Sequence, residues 1–144
     1  MKPAIFLSLI FALLFANKII AKNDEYFVSP YARELGISRV GNQLLRWVRF
    51  SSESKHPCLH VELLTPVSYV VNDQMQICAL PDENNVMYDF IKNLSSIDLF
   101  NIKADNMRLT FNADLILLKQ GSKSLQCSLL IKEEKLNALS CVAR

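Results

Sequence analysis

The chain has 144 residues, with 16 Lys and Arg against 14 Asp and Glu, for a formal net charge of +2. Two of its basic residues, Lys2 and Lys18, lie in an apolar N-terminal segment; without that segment the charges balance, which argues against a nucleic-acid binder with its usual basic excess. Only three glycines occur, and no GxGxxG or GxxxxGK[ST] phosphate loop can be written.

The opening MKPAIFLSLIFALLFANKIIA has the charged, apolar and small-residue order of a secretory signal peptide. Its apolar run is shorter than the roughly 20 residues of a comfortable membrane span. Cleavage is expected after Ala21, leaving residues 22–144 as one disulfide-stabilised domain, exported to the periplasm or secreted, with no stable membrane insertion. Tyr26, Phe27 and Val28 read as a short edge strand.

Pro30 sits where a helix takes its first proline, with Ser29 as the N-cap. Ile37, Val40, Leu44 and Val48 recur at helical spacing, so the pattern predicts a long helix over 30–50. Arg39, Arg46 and Arg49 then share the opposite face of that helix. Beyond SSESKHP, Leu59, Val61 and Leu63 alternate with polar residues. Residues 67–71 and 74–79 read as a hairpin around Asn72-Asp73. A second helix is expected over 83–96, with Val86, Phe90 and Leu94 on one face, followed by a connector over 97–106.

The C-terminal third alternates apolar and polar residues from Met107 to Leu117, again from Leu125 to Ile131, and again from Leu139 to Ala143. A turn centred on Gly121 sets Leu115 opposite Cys127 and Ala113 opposite Leu129. A turn centred on Glu134 sets Leu129 opposite Leu139 and Cys127 opposite Cys141. The fold class expected from these elements is α+β: a long and a shorter helix packed on a mainly antiparallel sheet of about five or six strands, ending in a three-stranded meander.

All four cysteines lie beyond the apolar segment, and an even count in an exported chain reads as two disulfides. Cys58 and Cys78 fall on polar strand faces, Cys127 and Cys141 on apolar ones. That segregation pairs Cys58 with Cys78 and Cys127 with Cys141.

Chemistry is harder to place. In HPCLHVE, an extended strand puts His56, Cys58, His60 and Glu62 on one face, a plausible soft-metal set. A disulfide sulfur is a poor ligand, however, and the chain has no other histidine. The disulfide reading of Cys58 is therefore preferred, and no metal or other cofactor is expected. Nucleophilic catalysis needs a base beside the nucleophile, and no GxSxG elbow is present. Glu62, Asp89, Asp98, Asp105 and Asp114 are scattered carboxylates that read as surface residues or caps. Asn93-Leu94-Ser95 is a glycosylation sequon.

A helix leading into an antiparallel sheet, with a disulfide across the last hairpin, resembles the layout of cystatin-like rolls. The chain carries neither a QxVxG-type loop nor a Pro-Trp hairpin tip, so no family is assigned and no inhibitory residues are carried over. The expectation is an exported, non-enzymatic protein of inhibitor, immunity or secretion-accessory type. It would bind an acidic protein partner through Arg39, Arg46 and Arg49, because residues 30–55 carry a basic excess and residues 73–114 an acidic one. The alternative is a small enzyme or ligand carrier with a pocket between helix and sheet. A metal protein ranks third.

Overall fold

The computed structural model describes residues 29–105, 107–119 and 121–144. The expected signal peptide at 1–21 and the strand at Tyr26–Val28 lie outside the described residues.

The described chain is built of strands and turns, and no helix occurs in it. β1 (Ala32–Val40), β2 (Gln43–Phe50), β3 (Leu59–Leu64) and β4 (Val71–Ile77) form an antiparallel meander, each strand pairing with the next. A small hairpin of β5 (Ala79–Pro81) and β6 (Met87–Asp89) follows. β7 (Leu94–Ala104), β8 (Arg108–Leu117), β9 (Ser122–Lys132) and β10 (Lys135–Ala143) form a second antiparallel meander. β4 lies near β10 and β1 near β7, so the two sheets stack edge over edge. Leu45, Trp47, Leu59, Val61 and Leu63 of the first sheet and Leu109, Phe111, Leu115, Leu125 and Leu129 of the second fill one shared core. Each sheet keeps one face on this core, as stacked antiparallel sheets require.

The α+β expectation is thus overturned, and with it the likeness to cystatin-like rolls. Residues 30–50 form a hairpin because Gly41-Asn42 turns the chain, with Val40 opposite Gln43 and Gly41 at φ 56°. Gly-first turns of two residues fit the twist of antiparallel strands. The apolar positions at helical spacing do not share a face: Val40 is buried in the core, whereas Ile37 is exposed.

The second expected helix, 83–96, is replaced by turns that aspartates hold. Asp82 accepts hydrogen bonds from the N–H groups of Asn84 and Val86. Asp89 accepts from those of Ile91 and Lys92, and the side-chain oxygen of Asn93 accepts from Asp89 N–H. Such local side-chain bonds offer the backbone an alternative to helix. The expected connector at 97–106 is mostly strand β7, with register shifts at Leu94/Ser96 and Phe100/Lys103.

Asn72-Asp73 is not a turn either. The β3–β4 reversal comes earlier, at 65–70, where Thr65 N–H donates to Val70 C=O and Tyr69 N–H to Thr65 C=O. Asp73 stands within β4 opposite Leu63, and its carboxylate accepts the N–H of Leu136 at 2.8 Å, tying β4 to β10.

Cys58 is bonded to Cys78 and Cys127 to Cys141. Two disulfides suit an oxidising compartment. Cys127 stands opposite Cys141, and Leu129 opposite Leu139. The register between β8 and β9 differs from expectation: Leu115 faces Lys123 and Ala113 faces Leu125, while Cys127 faces Phe111. The reversal is centred before Gly121, whose C=O already accepts from Leu117 N–H and whose φ is 90°. Cys58, assigned from the sequence to a polar face, is buried just ahead of β3.

One buried charge pins the small hairpin to the second sheet. The Asp82 carboxylate accepts from Lys123 Nζ at 2.8 Å and from Tyr88 Oη at 3.1 Å, and the ammonium lies 4.9 Å from the Tyr88 ring centroid. The Lys123 hydrogen bond, helped by the backbone donors, holds the Asp82 carboxyl well below its ordinary value; the same bond pushes the Lys123 ammonium up. A carboxyl whose pKa is lowered on folding stabilises the protein above its unfolded value of 3.8 and loses that contribution as pH falls further. An ammonium with a raised pKa contributes fully below 10.5 and loses its contribution at higher pH. Removing one partner leaves the other charge uncompensated, whereas removing both does not. Lys123→Met should therefore destabilise more at pH 7 than Lys123→Met combined with Asp82→Asn. Denaturant unfolding of the four proteins of this cycle measures the comparison. A double variant less stable than Lys123→Met would show that the pair is not the pin.

Candidate interaction surface

The two sheets present outer faces of different chemistry. Leu35, Ile37 and Arg39 alternate on the exposed side of β1, preceded by Arg33 at a register shift. Across the register Leu35 meets Val48 and Val48 meets His60; Ile37 meets Arg46 and Arg46 meets Glu62. Leu35 is 64% exposed and Ile37 52%. Arg46 Nε donates to Glu62 Oε2 at 2.6 Å, and the Phe50 and His60 rings meet edge-on with centroids 4.8 Å apart. Partial burial lowers the pKa of His60, against an opposing pull from Glu62. Arg33, Leu35, Arg46, Val48, His60 and Glu62 line an open groove of about 450 Å³, and Ile37 lies beside it.

The outer face of the second sheet is more polar, with Ile116 and Val142 exposed singly in rows four residues apart on β8 and β9. Thr110 stands opposite Ser128, Asn112 opposite Gln126, and Ser128 opposite Ser140. Asp114 accepts from Ser124 Oγ at 2.7 Å and from Arg144 at 3.4 Å.

A second apolar feature joins β3 to β4. In the loop at 65–70, Val67 is 93% exposed and Tyr69 62%, and Val70 is also exposed. Val67 has φ 76° and Tyr69 φ 54°. Positive φ is a genuine outlier for a β-branched side chain, and such strain concentrates at contact sites. Val67→Gly should raise stability by about 1 kcal/mol or more, because glycine takes this conformation at little steric cost. A midpoint of thermal unfolding below that of the parent would contradict the strained geometry.

The arginines expected on one helix face are dispersed. Arg39 and Arg46 do lie on the outer face of the first sheet, in neighbouring rows. Arg49 lies one residue out of step with Arg46 and Val48, and reaches Glu34 at 3.4 Å and Asp98 of β7 at 3.3 Å, joining the two sheets. The metal set is dispersed too. Cys58 is in a disulfide, Glu62 is paired with Arg46, and His56 sits in the loop before β3 with its N–H on Ser54 Oγ. Among the described residues, no three His, Cys, Asp or Glu side chains converge as metal ligands. The remaining carboxylates have separate tasks: Asp89 and Asp105 cap turns, Asp98 meets Arg49, and Asp114 meets Ser124. The pocket expected between helix and sheet has no counterpart, because the helix is absent. Asn93 of the sequon is exposed in the turn before β7.

Sequence reasoning missed the apolar face and the apolar loop. Both were visible as residues: Leu35 and Ile37 alternate with Gly36, and PVSYVV packs four apolar residues around one serine. The helix reading hid the first and the strand reading hid the second. Compared with protein-family models, with curated proteins and with solved structures, the chain matches none.

Proposed function

We propose that this protein is exported to the periplasm or secreted and acts by binding another protein. The contact surface is the outer face of the first sheet, together with the loop at 65–70. The observation that carries this reading is the contrast between the outer faces. One presents Leu35 and Ile37 together beside an arginine-lined groove, while the other sets Ile116 and Val142 in separate rows among Ser, Thr, Asn and Gln. Exposed apolar patches rimmed by polar groups mark interaction sites. Arginine among apolar residues is a favoured interface composition. Inhibitor, immunity and secretion-accessory roles all use such a surface.

The test is capture from the protein's own extracytoplasmic fluid by three baits. These are the parent, Leu35→Asp with Ile37→Asp, and Thr110→Asp with Ser128→Asp. The reading expects a partner that is retained by the parent and by the second-sheet variant and lost with the first-sheet variant. A partner lost only with the second-sheet variant would reverse the assignment of the face.

A further inference from the structure

We propose that the outer edge of β1 takes up an extended, acid-flanked apolar segment of the partner as a fifth strand of the first sheet. The inference rests on the protein-binding reading above and names the chemistry of what binds. Among the described residues, β1 is hydrogen-bonded to β2 alone, and no ladder joins it to β7. It is nine residues long, and a long unpaired edge is a template for another strand. Its core-side residues Glu34, Gly36 and Ser38 are only half-buried, so the strand stands clear along most of its length. Strand addition draws affinity from main-chain hydrogen bonds and specificity from alternate side chains.

Those alternate side chains are Leu35, Ile37 and Arg39, and the exposed Arg33 stands at the bulge just before them, so an apolar pair lies between two cations. A second copy of β1 is a poor occupant. Antiparallel pairing about Gly36 would keep Leu35 opposite Ile37, but it would bring Arg33 against Arg39 at both ends. Like charges directly opposite across a ladder are destabilising. The matching strand carries two apolar residues two positions apart, with a carboxylate two positions outside each. That pattern reads the same in either direction, so parallel and antiparallel addition both fit it.

The probe is a synthetic nonapeptide, Thr-Asp-Thr-Ile-Thr-Val-Thr-Asp-Thr, capped at both ends, with a counterpart in which lysines replace the two aspartates. A third peptide keeps the acidic sequence but is N-methylated at alternate residues on both edges, which removes ladder donors. Binding to the exported protein is followed by fluorescence anisotropy, and exchange of β1 amides by mass spectrometry. The acidic peptide should bind at least about ten-fold more tightly than the lysine peptide. N-methylation should abolish binding, and β1 amides should slow in exchange. Arg33→Glu with Arg39→Glu should reverse the charge preference, and its uptake of the lysine peptide shows at once that the variant is folded. Equal binding of the two charged peptides, no binding of either, or full binding of the methylated one overturns strand addition. Failure of the underlying reading is a separate result: a captured partner whose contact is lost only with the second-sheet variant.

Discussion

Gly36→Val is expected to destabilise the protein by about 3 kcal/mol, and Gly36→Ala by about 1–3 kcal/mol. Gly36 stands directly opposite Trp47 on the β1–β2 ladder, and the indole lies where a Cβ of residue 36 would be. Trp47 is buried in the core, so the ring has little room to withdraw. Glycine inside a strand marks such a close approach. Gly41 supplies a control with a different physical cause. Nothing lies near its absent side chain, but its φ is 56°. Gly41→Ala should therefore cost about 1–2 kcal/mol through backbone strain alone. Gly41→Asn should fare no better, because with only Gly41 at positive φ the turn is of type II′, whose first position is not the left-handed helical conformation that asparagine tolerates. Urea midpoints with Trp47 fluorescence as the probe measure all four. Parent-like stability for Gly36→Val would mean that the indole does not pack across β1.

Removing either disulfide is expected to cost about 3 kcal/mol, since each closes a loop of 14 or 20 residues in sequence. The way in which stability is lost should differ between the two. Cys127 and Cys141 are buried between central strand β9 and its neighbour, with Phe111 opposite Cys127 on β8. Cys127→Ala with Cys141→Ala should lower global stability in one cooperative transition. The bond from Cys58 to Cys78 instead closes the hairpin that carries the loop at 65–70. β4 is an edge strand of its sheet, and Ile77 is its one fully buried residue. Cys58→Ala with Cys78→Ala should let β4 open locally before the rest unfolds, an opening that hydrogen exchange resolves strand by strand. If β4 exchanges only through global unfolding in that variant, the edge is held by more than the disulfide and the Asp73 contact.

The C-terminal meander was legible because one face of each strand is buried and the period is therefore strict. Leu109, Phe111, Ala113 and Leu115 alternate without interruption, and so do Leu125, Cys127, Leu129 and Ile131. The register was less legible, since it depends on which residues the turn consumes. Gly121 drew the centre of the β8–β9 turn towards itself, although the chain had already reversed. The N-terminal hairpin was hidden for a specific reason. Its outward face carries Leu35, Ile37, Leu44 and Val48, so apolar residues occur on both faces and the period of two is blurred. Positions 37, 40, 44 and 48 then imitate a helical stripe. That surplus of outward apolar side chains is also what makes the face a candidate for binding. Asp82 and Asp89 hid the second error, because an aspartate before a run of good helix formers reads as an N-cap. Here each caps a turn that closes on itself.

The most direct measurement is the hydrogen-exchange footprint of the captured partner on this protein. If the account holds, amides of β1 to β3 and the loop at 65–70 slow on binding, while those of β8 and β9 do not change. Slowed exchange centred on Thr110–Ser128, with β1 unchanged, would contradict it.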